Sequence, residues 1–251
     1  MIDLGAQLYT VRQFMNDDDK RYETLLKIKE IGYTSVQLYG DIAICEKMAK
    51  DASKYNLKIT GILSEIEHYE NDFEKFIEIA KTYSIKDFGI SASLTDENKV
   101  KEFIIRVNDM AKRICEYGFT FSYHNHAKEF IKLSDGKTIM EHYIEGFDKE
   151  KVNFMPDTFW VHKGGFDVRY FLEMVKDRVE ILHLKDMKYT EDGQEFAEIG
   201  NGNLYFEGIT KLALENGIEN FVVEQDKCEI DPVESLKISY NYLKSLKEMQ
   251  I

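Results

Sequence analysis

Two histidines and a glutamate lie close together in the stretch 121–130, which reads FSYHNHAKEF. The apolar start of this stretch favours a β-strand, in which His124 and His126 would point to the same face because side chains alternate. Glu129 follows three residues later. Imidazoles held at a strand end beside a carboxylate are groups from which a metal site or an acid/base pair is built. Such a pair also occurs as ordinary polar residues, so its meaning depends on the residues that the fold brings to it.

The composition is that of a folded, acidic chain. Of the 251 residues, 43% are hydrophobic, and 15 Tyr and 16 Phe contribute to a large core. The formal net charge is −13, whereas nucleic-acid binding depends on clustered Lys and Arg. No apolar run of about 18 residues is present, which is the length that a membrane helix needs. We therefore expect neither a nucleic-acid partner nor a membrane span.

The cysteines and the N-terminus predict the compartment. Cys45, Cys115 and Cys228 are odd in number and share no CxxC spacing, which is typical of free thiols in a reducing cytosol. The first residues, MIDLG, lack the basic and long apolar regions of a signal peptide. We expect a soluble, cytoplasmic protein.

Short strand-like runs alternate with longer helix-patterned segments along the chain. The predicted strands are Ile2–Tyr9, Thr34–Tyr39, Lys58–Leu63, Asp87–Ser91, Phe119–His124, Val152–Asp157, Val179–Leu184 and Asn220–Glu224. The predicted helices are Tyr22–Ile31, Ile42–Tyr55, Asn71–Tyr83, Glu97–Tyr117, Thr138–Glu145, Val168–Lys176, Leu204–Glu215 and Val233–Met249. Strict alternation implies a parallel sheet, and eight βα units in about 250 residues match a closed (β/α)8 TIM barrel of the α/β class.

Glycines mark the junctions between predicted helices and strands. Gly32, Gly118 and Gly217 each follow a helix and precede an apolar residue, as expected of a left-handed C-cap. No Pro/Gly/Ser-rich linker divides the chain, so we predict a single domain over residues 1–251. The alternative is an open doubly wound sheet, but QLYT follows the first strand in place of a glycine-rich phosphate loop.

Metal-competent side chains fall at the ends of four consecutive predicted strands. They are His124, Asp157, His183 and Glu224. In a TIM barrel the active site lies at the C-terminal ends of the strands, and two imidazoles with two carboxylates suit Mn²⁺, Co²⁺, Zn²⁺ or Fe²⁺ better than Ca²⁺. Each residue also has an ordinary interpretation: Asp157 as a helix cap, His183 as a core histidine, Glu224 as the end of its strand. Their coincidence favours a metal site.

Seven motifs in order resemble one known family. They are LYTVR from Leu8, YHNH from Tyr123 with Glu129 and Phe130, DTFWV from Asp157, Gly164 with Gly165, HLKD from His183, IGNGN from Ile199 and VEQD from Val223. Over essentially the whole chain, the set resembles the sugar phosphate isomerase/epimerase family, which comprises xylose-isomerase-like TIM barrels of the AP endonuclease family 2 superfamily. The resemblance is specific to the superfamily and not to a substrate.

The resemblance implies one divalent metal ion held by four strand-end residues. The last three of these correspond to Asp157, His183 and Glu224, whereas the first is generally a glutamate and is His124 here. We expect one ion of Mn²⁺, Co²⁺, Zn²⁺, Fe²⁺ or Mg²⁺. In relatives with two glutamate ligands, that pair also transfers the protons, so His124 leaves the second acid/base of this chain open.

Further residues are expected to contact the substrate. The family often has Glu at the end of strand two and His at the end of strand three, where this chain has Gln37 and Ser64, so its substrate contacts differ or its activity is reduced. Tyr9 is expected at the mouth of the site.

Lys185 and Trp160 each have two interpretations. Lys185 can bind an oxyanion or a phosphate, or it can pair with the neighbouring Asp186. Trp160, the only tryptophan, can offer an apolar face to a sugar ring or can be an ordinary aromatic residue of the rim.

These residues predict proton abstraction next to a carbonyl. A divalent ion chelated by a ketone and its neighbouring hydroxyl acts as a Lewis acid and stabilises the enediolate that forms. Glu224 is the expected base. His126 or Glu129 is the expected acid on the opposite face, because a metal-bound His124 cannot accept a proton on its ligating nitrogen. The prediction is a metal-dependent sugar isomerase or epimerase acting on a keto-sugar or related polyol.

Three other function classes are alternatives. A lyase or dehydratase of an inosose or 3-keto-glycoside would use the same metal-enolate chemistry and expel a β-substituent. A sugar-binding barrel without turnover is also compatible with the departures at Gln37 and Ser64. An abasic-site endonuclease would need several metals and a basic DNA face, which six histidines and a charge of −13 oppose. We expect a small-molecule sugar as the partner, and the resemblance favours a homo-oligomer, either a dimer or a tetramer.

Overall fold

Eight parallel strands surround the centre of the molecule, in a computed structural model that describes residues 2–249. Residues 2–249 contain these eight strands and two more that form a separate hairpin. In chain order the ten strands are β1 (Asp3–Gln7), β2 (Ser35–Tyr39), β3 (Lys58–Ser64), β4 (Asp87–Ile90), β5 (Thr120–His124), β6 (Asn153–Met155), β7 (Leu182–Leu184), β8 (Asp186–Thr190), β9 (Gly193–Ala197) and β10 (Asn220–Val223). The order across the large sheet is β6-β5-β4-β3-β2-β1-β10-β7, and β8 pairs with β9 in a separate antiparallel hairpin.

Backbone bridges bring the two ends of the large sheet together. Phe154 pairs with Val179, and Asp157 pairs with His183, both in the parallel sense. The N–H of His183 also donates to the carbonyl of Pro156 over 2.9 Å. The sheet is therefore a nearly closed barrel, and the predicted TIM barrel fold is confirmed.

Helices cover the outside of the barrel. They are α1 (Arg12–Met15), α2 (Asp18–Ile31), α3 (Ile42–Lys54), α4 (Ile66–Asn71), α5 (Phe73–Tyr83), α6 (Glu97–Cys115), α7 (Ile139–Gly146), α8 (Thr158–Lys163), α9 (Val168–Val175), α10 (Phe206–Glu215) and α11 (Pro232–Ser245). Short 3-10 helices span Leu8–Val11, Lys128–Phe130 and Lys176–Arg178. Aspartates at the N-caps of many helices satisfy the free backbone N–H groups: the carboxylate of Asp41, for example, accepts from two N–H groups of α3. Gly32 ends α2 at φ +122°, a conformation that favours glycine.

Side chains along each strand alternate between the inside of the barrel and the layer between the strands and the helices. On β5, Phe121 and Tyr123 face the helices, and the Tyr123 ring packs edge-on against Tyr143 at 4.9 Å. Ser122 and His124 therefore face the inside of the barrel. A small separate cluster of Met155, Ile181 and Val222 provides apolar packing there. Polar side chains also face inward, and Gln7, Gln37, His124 and His183 lie toward the C-terminal end of the barrel.

The structure adds elements that the sequence analysis did not predict. The hairpin of β8 and β9 and the short helices α1, α4 and α8 all lie in loops at the C-terminal end of the barrel. The predicted helix 71–83 is divided at Asp72, and the last helix ends at Ser245. The hairpin had one local signal, the dipeptide Asp192–Gly193 at its turn, with Gly193 at φ +106°. Within residues 2–249, no helix is both long and apolar enough to cross a membrane.

Candidate metal centre and substrate cavity

Four buried side chains from consecutive barrel strands converge on one point. His124 ends β5, Asp157 follows β6, His183 lies in β7 and Glu224 follows β10, and one ligand atom of each lies within 4.8 Å of the others. Nε2 of His124 lies 3.4 Å from Oδ2 of Asp157 and 3.9 Å from Oε2 of Glu224. The residues that the sequence predicted as metal ligands are thus brought together.

A chain of hydrogen bonds orients the imidazole of His183. The backbone N–H of Tyr9 can only donate, and it reaches Oε1 of Gln7 over 3.1 Å. The amide nitrogen of Gln7 then donates to Oε1 of Gln37 over 2.6 Å. Because that oxygen is an acceptor, Nε2 of His183, 2.7 Å away, carries the proton. Nδ1 of His183 is left with a lone pair 2.9 Å from Oε2 of Glu224, where a cation between the two acceptors would be stabilised.

Asp157 both caps a helix and faces the centre. Its Oδ1 accepts from the N–H of Trp160 over 2.9 Å at the start of α8, and its own N–H donates to Oδ1 of Asn125 over 3.0 Å. These contacts leave Oδ2 directed at Lys185 and His124. The capping interpretation and the ligand interpretation therefore apply to different oxygens of one carboxylate.

Lys185 is a buried cation among carboxylates. Its Nζ lies 2.9 Å from Asp157, 3.0 Å from Glu224 and 2.9 Å from Asp226. Burial would lower the pKa of Lys185, but the three carboxylates outweigh it and raise that pKa. Lys185 does not pair with Asp186, one of its two predicted interpretations. Three carboxylates against one ammonium leave two negative charges without compensation.

This centre fits a divalent metal ion. Both ring nitrogens of His124 are buried and have no hydrogen-bond partner among residues 2–249, so its lone pair is available. Donors around a tetrahedral ion with bonds of about 2.1 Å lie about 3.4 Å apart, and separations of 2.9, 3.4 and 3.9 Å occur within the cluster. The two uncompensated charges match the charge of the ion.

A cavity of about 380 Å³, which we call the site cavity, opens beside the metal centre. It is lined by Gln7, Tyr9, Tyr39, Gly40, Leu63, Ser64, Glu65, His68, Ser91, His124, His126, Lys185, Glu224 and Asp226. Tyr9, His126, Lys185 and Glu224 were predicted as substrate-binding or catalytic residues, and all four reach the cavity together. A substrate in this cavity would contact them directly.

Gln37, Trp160 and Glu129 do not line the site cavity. Gln37 is fully buried behind His183, which it orients. The ring of Trp160 packs edge-on against His126 at 5.2 Å, and its Nε1 is buried. These three residues therefore support groups of the site from outside the cavity.

Glu129 and His126 are linked through the backbone. Oε1 of Glu129 accepts from the hydroxyl of Tyr123 over 2.7 Å and from the N–H of His126 over 2.9 Å. Burial raises the pKa of Glu129. Burial, together with nearby His124 and Lys185, lowers the pKa of His126 to about 3. The His126 imidazole is therefore neutral near pH 7, and it can exchange hydrogen bonds with a substrate hydroxyl.

Tyr39, Asp226 and His68 are among the cavity residues that the sequence analysis missed. Asp226 was quoted within the VEQD motif without a role, and it holds Lys185. The pKa of Asp226 is raised to about 6, and burial is the largest cause. Tyr39 packs edge-on against Tyr9 at 5.3 Å. Tyr39 and Asp226 stand at strand ends, a signal that could have found them, whereas His68 comes from α4.

His68 has a defined tautomer. The hydroxyl of Ser64 donates to the carbonyl of Gly40 over 2.7 Å. Its oxygen is therefore the acceptor in the 2.9 Å contact with Nδ1 of His68. Nε2 of His68 carries the lone pair and has no hydrogen-bond partner among residues 2–249. An imidazole thus reaches the cavity near the end of β3, although the strand itself ends in Ser64.

Asp186 connects two of the sequence motifs. Its carboxylate accepts from the backbone N–H groups of Met187, Gly200, Gly202 and Leu204, over 2.7 to 3.2 Å. A Cβ on Gly202 would meet the Asp186 carboxylate at 2.3 Å, so the close approach requires glycine. The HLKD and IGNGN motifs are therefore parts of one loop structure.

The hairpin of β8 and β9 packs against the wall of the site. Phe196 of β9 stacks on Phe159 at 4.1 Å and meets Trp160 edge-on at 5.8 Å. Lys185 lies 5.5 Å above the Trp160 ring. The hairpin thus supports the aromatic residues that surround the buried lysine.

The family model for xylose isomerase-like TIM barrels matches residues 25–246, which is most of the chain. The chain belongs to this family. This xylose isomerase-like barrel is 25% identical, over an alignment 263 positions long, to inosose dehydratase from Mesomycoplasma hyopneumoniae, and the alignment covers 83% of this chain and 84% of that protein. The predicted family membership is confirmed.

Solved structures share the fold of this xylose isomerase-like barrel. A sugar phosphate isomerase/epimerase from Parabacteroides distasonis superposes with a TM-score of 0.81 at 20% identity, over 99% of this chain and 95% of the other. A 3-keto-D-glucoside 4-epimerase from E. coli gives 0.73 at 15% identity, over 98% and 100%. A xylose isomerase-like TIM barrel protein from Mycobacterium smegmatis, solved with magnesium, gives 0.74 at 14% identity, over 100% and 96%.

Proposed function

We propose that this protein is a divalent-metal-dependent enzyme that removes the proton next to the carbonyl of a keto-sugar. The metal centre carries the proposal, because four buried donors converge there with two uncompensated negative charges. The magnesium-bound relative of the same fold supports it. When bound, a divalent ion would polarise the substrate carbonyl and thereby acidify the neighbouring C–H.

Glu224 is the proposed base. It lines the site cavity and contacts the metal centre, so it reaches both the substrate and the donors around it. Burial would raise the pKa of Glu224, but Lys185 holds it well below its usual range. Glu224 is therefore ionised near neutral pH and can accept a proton. Lys185 lines the same cavity, and it can donate a hydrogen bond to an oxygen that gains negative charge by exchanging its contact with Asp226 for that oxygen.

His126 is the proposed contact on the other side of the substrate, and Glu129 is proposed to position it. The carboxylate of Glu129 accepts a hydrogen bond from the backbone N–H of His126, and this bond orients the loop after β5. Trp160 supports the same imidazole from its edge. Gln37 is proposed to act through His183, because it holds the proton-bearing nitrogen of that ring.

A neutral sugar fits the site cavity better than a sugar phosphate. Lys185 is held by three carboxylates, so its charge is already compensated. Glu65 also lines the cavity and adds a negative charge that neither Lys185 nor the ion compensates, so a phosphate dianion would be repelled. This favours the oxyanion interpretation of Lys185 over the phosphate interpretation.

Isomerisation or epimerisation is the first candidate outcome of proton removal. It requires only that the proton returns, on the same or a neighbouring carbon, and solved epimerases share the fold. Elimination is the second candidate, because the chain is similar in sequence to inosose dehydratases. The lyase would expel a β-substituent from the same intermediate.

Metal content and proton exchange test the proposal. Purified protein should contain about one divalent ion per chain, and Asp157→Ala and His183→Ala should lose it, whereas His142→Ala, on α7, should retain it. Keto-sugars, inososes and 3-keto-glycosides are then incubated in D₂O. Exchange of hydrogen for deuterium without loss of a leaving group indicates isomerase or epimerase, and loss of a leaving group indicates lyase. Exchange that persists in metal-free protein would overturn the mechanism, and sugar binding without exchange by wild type would indicate a binding protein.

A further inference from the structure

A second cavity continues from the site cavity toward the outside of the barrel. This outer cavity, of about 570 Å³, lies between α4, the loop 91–96 and α6. Glu65, Ser91 and His126 line both cavities. A group attached to a molecule in the site cavity can therefore pass directly into the outer cavity beside the proposed substrate contact His126.

Eight of the twelve residues that line the outer cavity are polar or charged. Arg106 is held by Glu67 over 2.7 Å and by both oxygens of Glu70 over 2.5 Å, which fixes the plane of its guanidinium. Lys99 and Glu102 have no ion-pair partner within residues 2–249, and both reach the cavity. Arg106 therefore offers hydrogen-bond donors in a fixed orientation, whereas the side chains of Lys99 and Glu102 can adjust to a ligand.

The charge of the lining selects against an anionic ligand. Glu65, Glu67 and Glu102 outnumber the basic residues Lys99 and Arg106. Ile66, Ala92, Leu94 and Phe103 add apolar surface, which makes up about half of the exposed lining. A neutral, hydroxyl-rich group satisfies these polar side chains, whereas an aryl group would leave them without partners.

We propose that the substrate is a glycoside, with its keto-sugar ring in the site cavity and a second sugar ring in the outer cavity. The proposal rests on the proposed function, since it assigns the keto-sugar to the metal centre. The site cavity is at the lower end of the range of about 300–1,000 Å³ for small-molecule sites, and it accommodates one ring. The outer cavity then supplies the volume and the polar groups for a neutral substituent.

The test compares a keto-monosaccharide, a keto-disaccharide and an aryl 3-keto-glucoside in the metal-loaded enzyme. We measure kcat/KM for exchange of the α-proton in D₂O. Ser93→Trp fills the outer cavity from its exposed rim, and Thr95→Trp places the same side chain on the same loop outside the lining. Glu102→Ala removes a polar partner, with Asp109→Ala on the same helix as its control.

Wild type should prefer the disaccharide to both other compounds. Ser93→Trp and Glu102→Ala should lower kcat/KM for the disaccharide by about ten-fold or more and leave the monosaccharide unchanged, while Thr95→Trp and Asp109→Ala alter neither. Equal rates for monosaccharide and disaccharide, a preference for the aryl compound, or equal losses for all substrates would overturn the subsite and leave the proposed function standing. Absence of exchange with every compound would overturn the proposed function itself.

Discussion

Nε2 of His183 lies 2.7 Å from Oε1 of Gln37, and this contact decides which nitrogen faces the metal centre. Gln37 is itself held by Gln7, whose oxygen is occupied by a backbone N–H. The donor and acceptor roles in this chain of hydrogen bonds are therefore set by the backbone N–H of Tyr9, which can only donate. Such support of a metal-ligating imidazole fixes its tautomer and orientation.

Replacing Gln37 should weaken metal binding. In Gln37→Leu, Nε2 of His183 loses its acceptor, so the ring can rotate or change tautomer, and affinity should fall by about 10–100-fold. Titration of metal-free protein with Mn²⁺ or Zn²⁺ measures the change. Met155→Leu is the control, because it removes only the 3.4 Å contact of Gln37 with sulfur. Unchanged affinity in Gln37→Leu would show that His183 is oriented by other means.

Removing the buried lysine should destabilise the metal-free protein. Lys185→Met leaves Asp157, Glu224 and Asp226 without their shared cation, and breaking a buried pair in this way costs about 3 kcal/mol. A divalent ion should then raise the melting temperature of the variant more than that of wild type. Urea denaturation with chelator and with metal measures both effects. Lys188→Met, on the hairpin surface, should change stability little, and a similar result for Lys185→Met would contradict the charge argument.

Asp87 should make the fold less stable as the pH rises. Its carboxylate accepts from Thr120 and Ser122, both over 2.7 Å, but burial raises its pKa to about 6. The pKa of Asp87 in the folded protein exceeds the ordinary value of 3.8. Protonated Asp87 therefore stabilises the fold fully below about pH 4, and this stabilisation is lost as the pH rises through about 6. Asp87→Asn should therefore gain at most roughly 3 kcal/mol at pH 8 and nothing at pH 4.

Urea denaturation at pH 4, 6 and 8 measures the pH dependence of stability. The exposed Asp177→Asn on the surface is the control and should not alter the profile. A gain for Asp87→Asn that is the same at all three values would contradict a titrating carboxyl at this position.

His68 should contribute to turnover without affecting the metal. Its free Nε2 is available to accept a hydrogen bond from a substrate hydroxyl, so His68→Asn should lower kcat/KM for α-proton exchange by at least about ten-fold. Ser64→Ala should have a smaller effect, because it frees the ring without removing it. Metal content should stay at the wild-type level in both variants. His142→Asn, whose ring contacts Asp135 on the outside, is the control, and wild-type activity in His68→Asn would exclude a substrate contact.

Much of the fold and of the metal centre followed from local patterns. The alternation of short apolar runs with helical segments predicted eight strands. In a TIM barrel, the position of a polar residue at a strand end is determined by the position of that strand. The convergence of His124, Asp157, His183 and Glu224 was therefore predicted without coordinates, since equivalent ends of neighbouring strands must meet. The same logic explains why these predictions concern residues that adjoin strands.

Partners from loops and long side chains were decided by the tertiary structure. His68 enters the cavity from a helix of six residues that the sequence pattern did not predict. Lys185 was expected to meet the substrate or its neighbour Asp186, yet its flexible chain reaches carboxylates from three other positions. Gln37 was assigned from its strand end, Trp160 as the only tryptophan and Glu129 from its spacing after His126, but packing places all three outside the cavity lining. Sequence spacing determines which backbone positions converge, whereas side-chain direction and charge pairing depend on neighbours that are distant in the chain.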